Sequence, residues 1–407
     1  MLKNIRYFLL MILLFMGISS ACSAQSPTPW RGPSSNGIYP DKGLLNEWPA
    51  EGPEILWFFE ELGKGHSSPV PLGEYIYATG MIESTGYLFK LDLNGKMIYR
   101  AEYGPEFAES YYGTRGSPVI AGDRIYIISG KGHLYCLRER DGEEVWSVDM
   151  VKEYGGRMPR WGYNETVSID GDVLYCTPGG RKSNVLALNR QNGSLIWSCE
   201  GKGESSAYCS PLLFSHGGRK ILATHTTSHL LGIDAATGTL LWDQSQTNTY
   251  SVHANTPIYY EGGLLYFSGY GKGAGKLDLN GDGTAAKPAW KNSGFDSRVG
   301  GAVIVDGYLY GAGDNSRAFK CINWSTGDTV YTDLEISKGN IISADGKLYC
   351  YTERGELALV NPNPHKFELV SKTKVDKGSE QHWAHPAIHR GVLYLRHGKS
   401  LITYQIK

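Results

Sequence analysis

The sequence predicts an all-β chain folded as an eight-bladed β-propeller, with an N-terminal strand completing the last blade. Three observations predict it. A two-strand unit recurs, a second element before it recurs at a fixed period, and the chain start can supply a strand that the chain end lacks. The recurring unit is plainest at 229–242, "HLLGIDAATGTLLW". It returns as "GHLYCLRERDGEEVW" (132–146), "NVLALNRQNGSLIW" (184–197), "GYLFKLDLNGKMIY" (86–99) and "RAFKCINWSTGDTVY" (317–331). Each reads as two short strands joined by a turn whose Gly permits positive φ. The residues Trp146, Trp197, Trp242 and Trp290 are expected to pack between blades.

The preceding element reads small–Pro–apolar, then Gly or Asp-Gly, then apolar-Tyr, as in "GSPVIAGDRIYIISG" (116–130). Register marks fall at residues 68, 117, 166, 210, 256, 302, 341 and 386, separated by 49, 49, 44, 46, 46, 39 and 45 residues. That period holds four short strands, the signature of a propeller. One such sheet cannot bury both its faces, whereas neighbours stacked in a ring can. The last copy, 385–407, has three strands, and "EILWFFE" (54–60) supplies the fourth.

With 407 residues and a formal net charge of −1, the chain has no global basic field, and nucleic acid is excluded as a partner. Lys3 and Arg6, the apolar run "YFLLMILLFMGI" and the small residues "SSACSAQS" read as a secretory signal over 1–24. An extension follows over 25–54, then the propeller over 55–407. The expected location is periplasmic, cell-surface or secreted, and the expected state is a monomer. Cleavage after Ala21 would leave Cys22 first and open to lipidation, the sole membrane contact expected. The six remaining cysteines read as small buried hydrophobes. Export permits disulfides, and Cys199–Cys209 is the local pair to test.

The blade units "IDAATGTLLW" and "NRQNGSLIW" resemble those of the PQQ-like repeat family, the propellers of quinoprotein dehydrogenases and of BamB-like exported lipoproteins. The leader "WRGPSSNGIYPDKGLLNEWP" (30–49) resembles the segment before many exported members. The resemblance covers about residues 55–407 and implies the fold. It also implies either a PQQ- and calcium-dependent alcohol or sugar dehydrogenase or an envelope-assembly scaffold with a protein partner. Quinoprotein dehydrogenases carry adjacent cysteines and acidic calcium ligands with a catalytic Asp. This chain has no adjacent cysteines, and no segment matches the calcium–Asp constellation.

In a propeller, the loop entering each innermost strand opens on the central funnel. Those loops hold Lys64, His66, Arg115, Arg160, Trp161, Asn164, Asn255, Arg298, Lys338, His382, Trp383 and His385 as expected ligand-binding residues. Their sum is a mainly cationic mouth, suited to a small anionic molecule or an acidic carbohydrate. Trp161 and Trp383 would stack on a planar ring or a sugar face. An enzymatic version would use Glu165 or His253 as general base and Tyr163 or Tyr208 as general acid. No motif selects a reaction. Separately, "DLNGDGTAA" (278–286) matches the front of a calcium loop at Asp278, Asn280 and Asp282, with Ala289 where an acidic twelfth ligand would stand.

Overall fold

Eight small sheets follow one another along the chain, each built on four antiparallel strands that are consecutive except in the last, and the seventh gains a fifth, parallel strand from the leader. The computed structural model describes residues 27–407; the expected signal, Cys22 included, lies outside the described residues. The first sheet runs through Val70–Leu72, Tyr75–Ile82, Thr85–Asp92 and Met97–Pro105. The eighth takes Ala387–His389, Val392–His397 and Ser400–Gln405 from the end of the chain and Ile55–Phe59 from near its start. Ile55 pairs with Tyr404 and Phe59 with Leu401, antiparallel, as the missing-strand argument requires.

The packing shows why the sheets form a ring. Each large hydrophobic cluster spans two consecutive blades. One joins Tyr77 and Leu88 of the first blade to Ile125 and Leu137 of the second. The next joins Leu134 and Cys136 to Leu174 and Leu186, and the series continues around. It ends with Tyr394 and Leu401 of the eighth blade against Ile76 and Phe89 of the first. Every sheet therefore buries both faces against neighbours, which no single blade could do.

The tryptophans at the outer strands dock consecutive blades. Indole Nε1 donates across five of the eight seams: Trp57 to Leu93 O at 2.9 Å, Trp146 to Arg190 O at 3.1 Å, and Trp197 to Ala235 O at 3.1 Å. Trp242 donates to Gly283 O at 3.2 Å and Trp290 to Trp324 O at 2.8 Å. In all five strands one residue bulges immediately before the Trp, so that Trp146 faces Cys136 while Glu144 faces Leu137. A bulge re-aims the following side chain, here onto the next blade's turn. The turn glycine accepts it. Gly238 sits at φ 75°, and a Cβ there would lie 2.7 Å from the Trp197 ring.

The segment before Ile55 runs along the ring and braces it. Thr28 N donates to Ile120 O, Ile38–Tyr39 pairs in parallel with the inner strand of the seventh blade, and Leu44 and Trp48 join the cluster between the seventh and eighth blades. Among the described residues, helix is confined to one turn, Met150–Tyr154, capped by Asp149. Cys136, Cys176, Cys199, Cys209, Cys321 and Cys350 are all buried and unbridged, so Cys199 and Cys209 are not paired.

Candidate functional site

The loops entering the inner strands meet at one end of the ring axis and enclose about 1090 Å³ of empty space, open to solvent at the mouth. Seven of the eight loops contribute to its wall, with the one before Gly339–Ala344 set back. The contributing residues follow a simple rule. They come in i, i+2 pairs: His66 and Ser68, Arg115 and Ser117, Asn164 and Thr166, Tyr208 and Ser210, Val252 and Ala254, Trp383 and His385. This is the alternation of extended chain, in which every second side chain faces the same way.

That parity sorts the expected residues. His66, Arg115, Trp161, Asn164, Tyr208, Arg298, Trp383 and His385 line the cavity together. Glu165, His253 and Asn255 sit at the opposite parity and face the blades. Glu165 is fully buried; its carboxylate accepts from Ser206 Oγ and from Asn164 N at 3.0 Å, and burial raises its pKa. His253 stacks on His225 with ring centroids 4.7 Å apart and donates from Nε2 to Thr227 O. Asn255 ties Ser297 O to Gly301 N. Tyr163 is buried too, donating to Pro178 O at 2.7 Å. Of the general acid–base candidates, Tyr208 alone reaches the wall. Its hydroxyl accepts from Trp161 N at 3.2 Å, and burial pushes its pKa up to about 12.

Other expected residues lie at the rim or behind it. Lys64 is largely exposed, 3.8 Å from Glu380. Arg160 lies over the Trp161 ring at 5.1 Å, and His382 stacks on His397 at 3.8 Å. Lys338 pairs with Asp314 and with Glu353 at 3.2 Å.

The mouth is not mainly cationic, and the reason is electrostatic. Asp314 and Glu353 also face Arg298, at 3.5 and 3.7 Å, so two cations meet two anions behind the wall. The histidines are held neutral. Burial, with the nearby charges of Arg396 and Arg115, lowers His66 to about 3, and burial beside Arg31 lowers His385 to about 3. Arg115 keeps its charge on the wall but spends three N–H donors on the loops, bonding Ser110 O at 2.8 Å, Tyr111 O at 2.9 Å and Trp161 O. It holds two aromatic loops in place.

What dominates the wall is aromatic. Trp161, Trp383, Tyr208, Tyr111, Tyr270 and Trp30 all line it. Tyr111, Tyr208 and Tyr270 hold left-handed backbone, φ 48°, 71° and 61°, a conformation rare for bulky side chains and concentrated at ligand-contacting sites. Between the rings lie hydroxyls at the register marks. Ser117 Oγ accepts from Ser68 N and Ser210 Oγ from Thr166 N, each at 2.9 Å. Sequence reasoning missed Trp30 and Tyr270, which lie outside the loops entering the inner strands, and Tyr111, one residue before the stretch 112–117 read in its loop.

The family model described as "Outer membrane protein assembly factor BamB" matches residues 41–198 and 130–365, well over half of the chain. The chain belongs to the PQQ-like repeat β-propeller family. Among curated members of similar sequence, the outer membrane protein assembly factor BamB of Escherichia coli is 28% identical over 92 residues, covering 22% of each chain. The tetrathionate hydrolase of Acidithiobacillus ferrooxidans is 24% identical over 249 residues, 58% of this chain and 46% of that one. The aligned stretches thus span about a fifth to a half of these curated relatives' lengths. Among solved structures, BamB from Moraxella catarrhalis superposes with a TM-score of 0.62 at 13% identity, covering 87% of this chain and 98% of that one. The computationally designed Ika8 protein gives 0.59 at 12% identity, covering 86% and 100%. These likenesses speak to the fold alone.

The resemblance implies a quinone with its calcium in the funnel, and the motif at 278–286 separately implies a calcium loop. No Asp or Glu lines the cavity, so its wall offers no carboxylate to a quinone-bound calcium, and we derive no redox step there. At 278–286, Asp278 pairs with Lys276 at 3.1 Å, Asn280 Oδ1 accepts from Ala285 N at 2.9 Å, and Asp282 Oδ1 accepts from Thr284 Oγ1 at 2.7 Å. These oxygens close a hairpin turn between two outer strands.

Proposed function

We propose that the funnel binds a carbohydrate, or a similar polyhydroxylated ring compound with at most one acidic group, in the cell envelope. The observation that supports this is the wall itself: six aromatic side chains, several on left-handed backbone, interleaved with hydroxyls and lacking carboxylates. Indole and phenol faces take the apolar faces of sugar rings, hydroxyls and Asn164 take their edges, and Arg115 retains N–H donors for one carboxylate. An export-type leader and the BamB-like family favour an envelope location.

Intrinsic fluorescence reports on Trp161 and Trp383 directly. Titration with α- and β-linked glucose hexasaccharides and with oligogalacturonate is expected to give saturable quenching by at least one of them. Trp383→Ala is expected to weaken that binding at least tenfold, about 1.4 kcal/mol. A folded wild-type protein that none of the three quenches, or equal affinity in the variant, rules the reading out. The competing reading is a scaffold acting as BamB does by its description, in outer-membrane protein assembly. It predicts co-purifying membrane proteins and no saturable saccharide.

A further inference from the structure

The funnel has a floor, and the leader makes it, with Trp30 as the leader residue that lines the funnel. Behind it lies a second cavity of about 910 Å³ between the leader and the inner strands of the first and eighth blades. Trp30, Ser68 and His385 line both spaces. Ser68 and His385 belong to the ring wall, so Trp30 is the leader residue that forms the septum between the two spaces.

The septum is anchored from three directions. Trp30 Nε1 donates to Ser68 Oγ at 3.2 Å, and the ring meets the edge of His385 with centroids 4.9 Å apart. The next residue, Arg31, is 2% exposed and donates from Nη2 to Ala302 O at 2.6 Å and to Ile341 O at 3.2 Å. Its guanidinium is closely cradled, since a Cβ on Gly37 would come within 2.5 Å of Nη2. The leader is therefore pinned on both sides of the axis, and Trp30 cannot swing away without breaking a buried set of bonds.

We propose that Trp30 makes the funnel a dead end that recognises the terminal unit of a glycan chain, and that it sets how many units enter. This rests on the carbohydrate reading. A ring open from face to face would admit the interior of a chain. A floor of indole with a stacking face admits only an end, and the last sugar ring would rest on it.

Two measurements test this. With the wild-type protein, α-linked glucose oligosaccharides, β-linked glucose oligosaccharides and oligogalacturonates are each presented at equal monomer concentration in increasing chain lengths. End recognition makes apparent affinity per monomer fall in inverse proportion to length beyond the first few units. Recognition of interior units leaves it constant, and that result overturns the proposal. Second, Trp30→Ala joins the two cavities, and the length at which affinity per molecule stops rising is expected to increase by at least one unit. Trp30→Leu, which keeps an apolar anchor, is the companion variant should alanine unfold the leader. An unchanged plateau in a folded variant overturns the proposal while leaving the carbohydrate reading intact. No binding of any saccharide by the wild type overturns both.

Discussion

Replacing Trp242 by alanine is expected to lower the stability of the whole ring by about 3–5 kcal/mol. The indole is 7% exposed and lies over Gly232 on the paired strand, where a Cβ would come within 2.1 Å of the ring. It belongs to a cluster that joins Leu212, Ile221 and Leu230 of the fourth blade to Leu264, Tyr266 and Leu277 of the fifth. Gly232 leaves nothing nearby to fill the void, so the cavity term adds to the lost transfer energy. The orphaned Gly283 carbonyl adds roughly 1 kcal/mol more. Trp242→Phe keeps most of the apolar area and is expected to cost about half as much. Urea unfolding checks both. A loss below about 1 kcal/mol for the alanine variant would show that the seam is not built as described.

Acid is expected to unfold this protein steeply below pH 6.5, driven by histidines more than by carboxylates. His225, His253 and His385 are at most 3% exposed, and burial holds their folded pKa far below the usual 6.5, to about 4 for His253 and about 3 for His385. The unfolded chain therefore takes up protons that the folded one refuses. Their contribution is intact above pH 6.5 and is lost as the pH falls toward 4, each costing about 1.4 kcal/mol per pH unit. His66 and His382 act in the same direction from less buried positions. Glu106 opposes them. Burial raises its carboxyl to about 7, so its stabilisation is full below the ordinary carboxylate value and is lost as the pH rises through 7. Glu165, whose carboxyl burial also raises, opposes them in the same way. The net uptake on unfolding near pH 5.5 comes to about three protons. The slope of unfolding free energy against pH measures this number, and His385→Gln should reduce it by about one. A flat profile between pH 5 and 6.5 contradicts the whole account.

The fold was legible because repetition is. Marks such as Ser68, Ser117, Thr166 and Ser210 recur at one place in each unit, and they emerge as the hydroxyl belt of the funnel. The inter-blade role of Trp146, Trp197, Trp242 and Trp290 follows from the same periodicity. The site was half legible. The loops were identified, but within each loop the facing residues are set by parity, so Glu165 and His253 were read as facing the funnel when their neighbours face it. The charge of the mouth was illegible because Asp314 and Glu353, which neutralise Arg298 and Lys338, come from other loops and carry no motif. Trp30 was missed because the leader belongs to no repeat. Its signal was an aromatic and an arginine set between prolines and a glycine in "PTPWRGP".

The pairing of Ile55–Phe59 with Ser400–Gln405 has a consequence for how the molecule comes into being. Seven petals can assemble in order of synthesis, but the eighth waits, its earliest-made strand idle until residues 400–405 are made. A clasp of this sort couples residues 55–59 to residues 400–405, so the eighth blade is fastened after its seven neighbours. The same clasp is where it would first spring open, with Trp57 leaving its perch on the first blade as the link gives way.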